Sequence, residues 1–139
     1  MLCDGRGNPL HFTLTPGQTH ESQAVVELID DAHIADFDEN VLRPVKVAGD
    51  KGYRSDWIDG FLLQQDIEPV VPSKANEDRA ARPVEFDREA YRRRNIIERL
   101  IGWLKESRRI LTRFEKTASN YAGMVMLAFI HRYLRTMNR

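Results

Sequence analysis

The stretch "YRRRNIIERLIGWLKESRR", residues 91–109, carries the amphipathic pattern of a long helix and places Glu98 among seven basic residues. At about 100° of rotation per residue, its apolar side chains form one stripe. The opposite strip holds four polar residues, Tyr91, Arg94, Glu98 and Lys105. The pattern therefore predicts a helix over about residues 88–110, with a carboxylate and cations on one face.

This helix alone allows two interpretations of Glu98. In the first, Glu98 pairs with Arg94 one turn away on an exposed face, a common contact that contributes only a few tenths of a kcal/mol. In the second, Glu98 is a metal ligand that lies beside a phosphate-binding surface. A second acidic site elsewhere in the chain would favour the second interpretation.

The rest of the chain predicts strands that alternate with helices. Such alternation indicates an α/β layer architecture. The predicted segments are a hairpin remnant (residues 1–15, with a strand at 10–14), a helix (20–31), a strand (45–50), a helix (56–65), a strand (67–72), an exposed polar loop (73–88) and a last helix (121–137).

Asp50 lies at the end of the strand predicted over residues 45–50, in the stretch "VAGDKGYRS". Ligands of open α/β sheets bind beyond the carboxyl ends of strands, so this position favours a binding role. Lys51 and Arg54 place positive charge close to Asp50 in the sequence. The alternative interpretation is an aspartate that only caps the following turn.

Charge is distributed unevenly along the 139 residues. Residues 1–70 hold 5 Lys/Arg and 13 Asp/Glu, a net charge of −8, whereas residues 71–139 hold 16 and 8, a net charge of +8. Either the basic half binds a polyanion, or the two halves neutralise each other. One cysteine and no secretory signal pattern indicate a reducing intracellular setting, and the apolar run at 124–130 is too short to span a bilayer.

Taken together, the two acidic sites resemble those of a known family, the DDE transposases of bacterial insertion sequences. "DKGY" is similar to the family's context for its second catalytic carboxylate, here Asp50. The helix pattern Y-x2-R-x3-E-x6-K, which carries the third, is matched without a gap by Tyr91, Arg94, Glu98 and Lys105. The stretches "GNPLHFTLTPGQTHES" and "NIIERLIGWLKESRRILTRFEK" also resemble family sequence, so the likeness covers essentially the whole chain.

The resemblance implies a ribonuclease-H-like catalytic domain over residues 1–139 that cuts and joins DNA with two Mg²⁺ ions, for which Mn²⁺ can substitute. Asp50 and Glu98 would be catalytic metal ligands. It also implies a place in the bacterial cytoplasm, at the nucleoid. The DNA contacts would come from Tyr91, Arg94, Lys105, Lys51, Arg54, Arg108 and Arg109, with further backbone attraction from Arg92, Arg93, Arg99 and Arg113.

The family pattern also has a first catalytic aspartate, on a central first strand that lies upstream of the segment beginning at Met1. We therefore expect a fragment that lacks this strand, is inactive alone, and depends on self-association or an upstream transposase segment. An alternative is a non-catalytic DNA-binding or transposase-interacting fragment that modulates transposition. A third possibility is a structural α/β protein whose two halves neutralise each other.

Overall fold

The computed structural model describes residues 1–32, 34–35, 41–112 and 115–137. This part of the chain contains six β-strands, six α-helices and three short 3-10 helices. The strands are β1 (Leu2–Cys3), β2 (Pro9–His11), β3 (Ile34–Ala35), β4 (Val41–Leu42), β5 (Lys46–Ala48) and β6 (Glu68–Val70). The helices are α1 (Val25–Asp30), α2 (Asp56–Gln64), α3 (Arg88–Arg93), α4 (Asn95–Lys105), α5 (Arg108–Leu111) and α6 (Ala118–Met137), and the 3-10 helices are Glu21–Ala24, Lys51–Tyr53 and Arg79–Ala81.

The chain forms two compact units. The central unit comprises Thr15–Arg94, and the terminal unit comprises Met1–Leu14 together with Asn95–Arg139. The mixture of small sheets and helices confirms the predicted α/β class. No helix of the described residues is long and apolar enough to cross a membrane.

The central unit is built on a β-α-β segment in which β5 and β6 pair in parallel, with Val47 opposite Pro69. Parallel strands require a crossover connection, and α2 provides it here. The core beneath the helix consists of Val25, Ile58, Leu62 and Ile67. The predicted strands at 45–50 and 67–72 and the predicted helix at 56–65 all occur, with shorter strands. The antiparallel pair β3–β4 was not predicted.

The terminal unit joins the two ends of the chain. Strands β1 and β2 form an antiparallel hairpin, and Gly7 in its turn has φ 83°, a conformation that favours glycine. Helix α6 is bound to this hairpin by Arg132 Nε, which donates to Gly7 O at 3.0 Å, and by Tyr133 OH, which donates to Pro9 O at 2.6 Å. The rings of Phe12 and Phe129 pack edge to face at 5.5 Å.

The helix predicted over residues 88–110 is divided into α3, α4 and α5. At the end of α3 the Arg94 amide bonds to Tyr91 O, three residues back, which tightens the turn. After α4 the Ser107 amide bonds to Leu104 O, again three residues back, and Ser107 itself is extended, with ψ 110°. Backbone hydrogen bonding, rather than a proline or glycine, therefore ends each piece.

Leu62 and Leu63 are neighbours on α2 and offer a matched test of the central core. Leu62 is 1% exposed and Leu63 is 40% exposed. We expect Leu62→Ala to lower the free energy of unfolding by about 2–5 kcal/mol, because it leaves a cavity in the core. Leu63→Ala should change it by about 0.5 kcal/mol or less. Urea unfolding monitored by circular dichroism measures both, and equal losses would contradict this core.

Candidate functional site

Asp50 lies two residues after the end of β5 and is exposed. Its Oδ1 accepts a hydrogen bond from Gly52 N at 2.8 Å, so Asp50 caps the 3-10 helix Lys51–Tyr53. A Cβ at position 52 would lie 3.0 Å from Asp50 Oδ1, so a larger residue there would require this carboxylate to shift. Asp50 therefore caps the following turn, and its role as a metal ligand stays a prediction. The same hydrogen bond restricts rotation of a carboxylate that stays open to solvent.

Lys51 and Arg54, the two cations predicted to bind DNA beside Asp50, lie in different environments. Lys51 is exposed, whereas the Arg54 side chain is 4% exposed. Arg54 Nε donates to Glu77 Oε2 at 3.0 Å and Nη2 donates to Asp56 Oδ1 at 2.8 Å, with a further ion pair to Glu77. We therefore assign Arg54 to the interior of the central unit rather than to DNA.

The buried carboxylate of Asp59 forms ion pairs with two guanidinium groups. Arg82 Nε lies 2.7 Å from Asp59 Oδ2 and Arg82 Nη2 lies 3.0 Å from Oδ1, while Arg54 Nη1 lies 3.4 Å from Oδ2. Arg82 Nη1 also donates to Val71 O at 2.6 Å. No sequence pattern indicated that Asp59 and Arg82 would form a buried ion pair. Residues 73–88 were predicted to be an exposed loop, yet the Arg82 side chain is 1% exposed.

Asp87 joins the start of α3 to the parallel strands. Its Oδ1 accepts from Ala90 N at 2.9 Å as a helix cap, and its Oδ2 lies 2.8 Å from Lys46 Nζ on β5. Lys46 also lies 3.0 Å from Glu68 on β6. Hydrogen bonds from Lys46 and Ala90 N lower the pKa of Asp87. Hydrogen bonds to Asp87 and then Glu68 raise the pKa of Lys46.

Tyr91 and Arg94, the first two residues of the helix motif, belong to the central unit, as Asp50 does. The Tyr91 ring lies 5.2 Å from the Phe86 ring, and the Arg94 guanidinium carbon lies 5.3 Å from the centre of the Tyr91 ring. Tyr91 therefore packs on one aromatic ring and supports a cation. Neither contact was predicted from the sequence, which indicated Tyr91 and Arg94 as DNA contacts.

Glu98 and Lys105, the last two residues of the motif, lie on α4 of the terminal unit and are exposed. Glu98 is in the first turn of its helix, where the helix dipole favours a negative charge, and Lys105 is in the last turn, where it favours a positive one. Arg108 is exposed at the start of α5. The Arg109 side chain and Arg113 lie outside the described part of the chain.

The donor chemistry of Asp50 and Glu98 suits a hard cation. Mg²⁺ prefers oxygen ligands, keeps several waters, and is bound through one or two carboxylates together with substrate phosphates. Both carboxylates are exposed. Within the residues that the structure describes, no group of three or more His, Cys, Asp or Glu side chains converges as a metal site.

Comparison with known proteins establishes the class of this chain. The family model described as "Transposase DDE domain" matches residues 1–132. The chain belongs to this transposase DDE domain family, and the insertion-sequence DDE transposase resemblance drawn from its motifs is confirmed.

Two relatives are named as transposases of insertion sequences. The chain is 30% identical over 129 residues to one named for insertion sequence element IS402 of Burkholderia cepacia, an alignment that covers 91% of this chain and 57% of the relative. It is 29% identical over 135 residues to one named for IS6501 of Brucella ovis, covering 96% and 95%. The chain thus spans little more than half of the first relative and nearly all of the second. No solved structure matches the chain.

The ion pair between Lys46 and Asp87 predicts that the pKa of Asp87 depends on Lys46. The carboxyl of Asp87 is more acidic in the folded chain than its usual pKa of 3.8, so its stabilising contribution is present above that value and is lost as pH falls through the lower folded pKa. Lys46→Met should raise the pKa of Asp87 toward 3.8 in an NMR titration. Lys74→Met, at another exposed lysine, should leave it unchanged, and an equal shift in both variants would contradict the pairing.

Proposed function

We propose that this chain is part of the catalytic domain of a DDE transposase that cuts and joins DNA phosphodiesters in the bacterial cytoplasm, at the nucleoid. The observation that carries the proposal is the match to the transposase family over residues 1–132, which includes both motif regions. Asp50 and Glu98 act as catalytic metal ligands. The fold is ribonuclease-H-like, which the β5–α2–β6 alternation supports.

The chemistry requires Mg²⁺, or Mn²⁺ in its place; two such ions bound together stabilise the attacking and leaving oxygens of a phosphodiester. The residues of the chain supply the ligands and hold the substrate. Asp50 offers a carboxylate whose rotation is restricted by Gly52 N, and Glu98 offers a second, exposed carboxylate. Lys51, Arg94 and Lys105 bind backbone phosphates, which positions the DNA without reading its sequence.

A third carboxylate completes the site in this proposal. The basis for this part of the proposal is the family pattern, which has a first catalytic aspartate on a central strand. We propose that a transposase segment bearing an aspartate on the central strand supplies it. The chain alone is then inactive, and activity depends on association with that segment or on self-association.

The alternative function, a DNA-binding fragment without catalysis that modulates transposition, is favoured by one observation. Cations outside the motif are exposed on α3, α4 and α5, namely Arg92, Arg93, Arg99 and Arg108. Exposed cations of this kind bind the phosphate backbone of any sequence. A pure binding fragment tolerates alanine at Asp50 and Glu98, whereas a catalytic one does not, so the two functions are separable.

A nicking assay distinguishes the catalytic function from DNA binding without catalysis. Labelled DNA is incubated with Mg²⁺ or Mn²⁺ and either the chain alone or the chain joined to an aspartate-bearing first-strand segment. We expect only the joined form to nick. Asp50→Ala and Glu98→Ala should each reduce its rate by more than about 100-fold, because loss of a ligand exceeds the effect of losing a group that only supports one.

Glu106→Ala is the matched control, since Glu106 is an exposed glutamate eight positions from Glu98. It should nick at the parent rate. If both forms of the parent chain bind DNA and neither nicks, the chain is a binding fragment. If the joined form nicks and tolerates alanine at Asp50 and Glu98, the ligand assignment is wrong.

DNA binding gives a second prediction. In a plot of log Kobs against log[salt], each lost phosphate contact makes the slope shallower by about 0.9 for duplex DNA. We expect Arg94→Ala and Lys105→Ala each to reduce the slope by that amount. Lys74→Ala, at an exposed lysine outside the motif, should leave the slope unchanged in a fluorescence anisotropy titration. Unchanged slopes in the two motif variants would contradict their assignment to DNA.

A further inference from the structure

The backbone on the N-terminal side of Asp50 is held by the neighbouring strand. Gly49 N donates to Val70 O at 3.2 Å, and Val71 O, one residue further along, accepts from Arg82 Nη1 at 2.6 Å. Val70 and Val71 are 0% and 2% exposed. Gly49, which precedes Asp50, is thus hydrogen-bonded to Val70 at the end of β6. The carbonyl of the next residue, Val71, accepts from the buried guanidinium of Arg82.

The backbone on the C-terminal side of Asp50 ends at a second buried guanidinium. Arg54 follows the 3-10 helix Lys51–Tyr53, and its amide donates to Lys51 O at 3.2 Å. Its side chain reaches inward to Glu77 and Asp59. The turn that carries Asp50 therefore lies between two anchored points of the chain.

Asp59 connects these two anchors. Its Oδ1 accepts from Arg82, and its Oδ2 lies within 2.7 Å of Arg82 Nε and 3.4 Å of Arg54 Nη1. The three side chains are 1–4% exposed. Buried charges are stable only as a complete set, because removal of one partner leaves an uncompensated charge in a medium of low dielectric constant. The network therefore links the anchored points on the two sides of the turn that carries Asp50.

We propose that Asp59, acting through Arg54 and Arg82, positions the Asp50 carboxylate for metal binding. This inference rests on the proposed role of Asp50 as a metal ligand. Asp59 is not itself a ligand, since guanidinium groups occupy both of its oxygens and its side chain is 3% exposed. Asp59 is a positioning residue, and the loop that contains Arg82 is part of the same network.

The test measures the turn and the metal separately. In the ¹⁵N-labelled 139-residue chain, relaxation gives order parameters for the Gly52 and Tyr53 amides, and Mn²⁺ titration gives the paramagnetic broadening of the same amides. Arg82→Lys keeps the charge but loses the planar fork that binds both Asp59 oxygens. Arg82→Met removes the charge. Arg79→Met, at an exposed arginine three positions away, is the matched control.

We expect order parameters of the Gly52 and Tyr53 amides to fall from about 0.85 to below about 0.6 in Arg82→Lys, while the amides of α2 keep theirs. The Mn²⁺ concentration for half-maximal broadening should rise about 10-fold. Arg79→Met should change neither quantity. Should Arg82→Met fail to fold, Arg82→Lys carries the test alone.

One result would contradict the positioning role of the network, and another would contradict the metal-ligand role of Asp50. If Arg82→Lys lowers the melting temperature but leaves the order parameters and the Mn²⁺ dependence unchanged, the network only stabilises the fold and the inference is wrong. If the turn loosens as expected, but Mn²⁺ broadens these amides equally in the parent and in Asp50→Asn, the positioning of the turn stands. In that case the metal-ligand role proposed for Asp50 falls.

Discussion

The central unit depends on one buried carboxylate that binds two guanidinium groups. Asp59 contributes a charge to a region where water does not reach, and Arg54 and Arg82 are the only described groups within ion-pair distance that compensate it. The two arginines and their partners lie on four segments: the turn after β5, helix α2, the end of β6 and the loop that precedes α3. A shift of any one of these segments would expose a buried charge or separate it from its partner. The network therefore couples the positions of the four segments. The exposed Asp50 lies on the first of these segments, the turn after β5.

The features of this chain that the sequence predicted are those set by short-range patterns. The β5–α2–β6 alternation follows from apolar runs and a helical period, and Asp50 lies where a strand-end aspartate was expected. The four-residue motif and the "DKGY" context are local strings, and they were enough to indicate the family that the comparisons confirm. Helix α6 begins at Ala118, three residues before the predicted start at 121.

The features that the sequence did not predict depend on pairs that are distant along the chain. Arg54 binds Glu77 and Arg82 binds Asp59, each across 23 residues, and no local pattern marks such partners. A basic residue beside Asp50 was therefore interpreted by its charge alone, as a phosphate contact. The interruptions at Arg94 and Ser107 were missed for a different reason. They arise from hydrogen bonds to the third preceding residue, which helical periodicity does not distinguish from the fourth.

The terminal unit has a consequence for the order in which the chain folds during synthesis. The hydrogen bond from Arg132 to Gly7 O joins residues 125 positions apart, so the N-terminal hairpin is synthesised long before the helix that covers it. At ribosomal rates of about 5–20 residues per second, the hairpin waits roughly 6–25 seconds for its partner. Contacts of such long sequence separation form late and slowly. The hairpin therefore leaves the ribosome without the helix that binds it, and early termination of translation before α6 would remove both hydrogen bonds that join them.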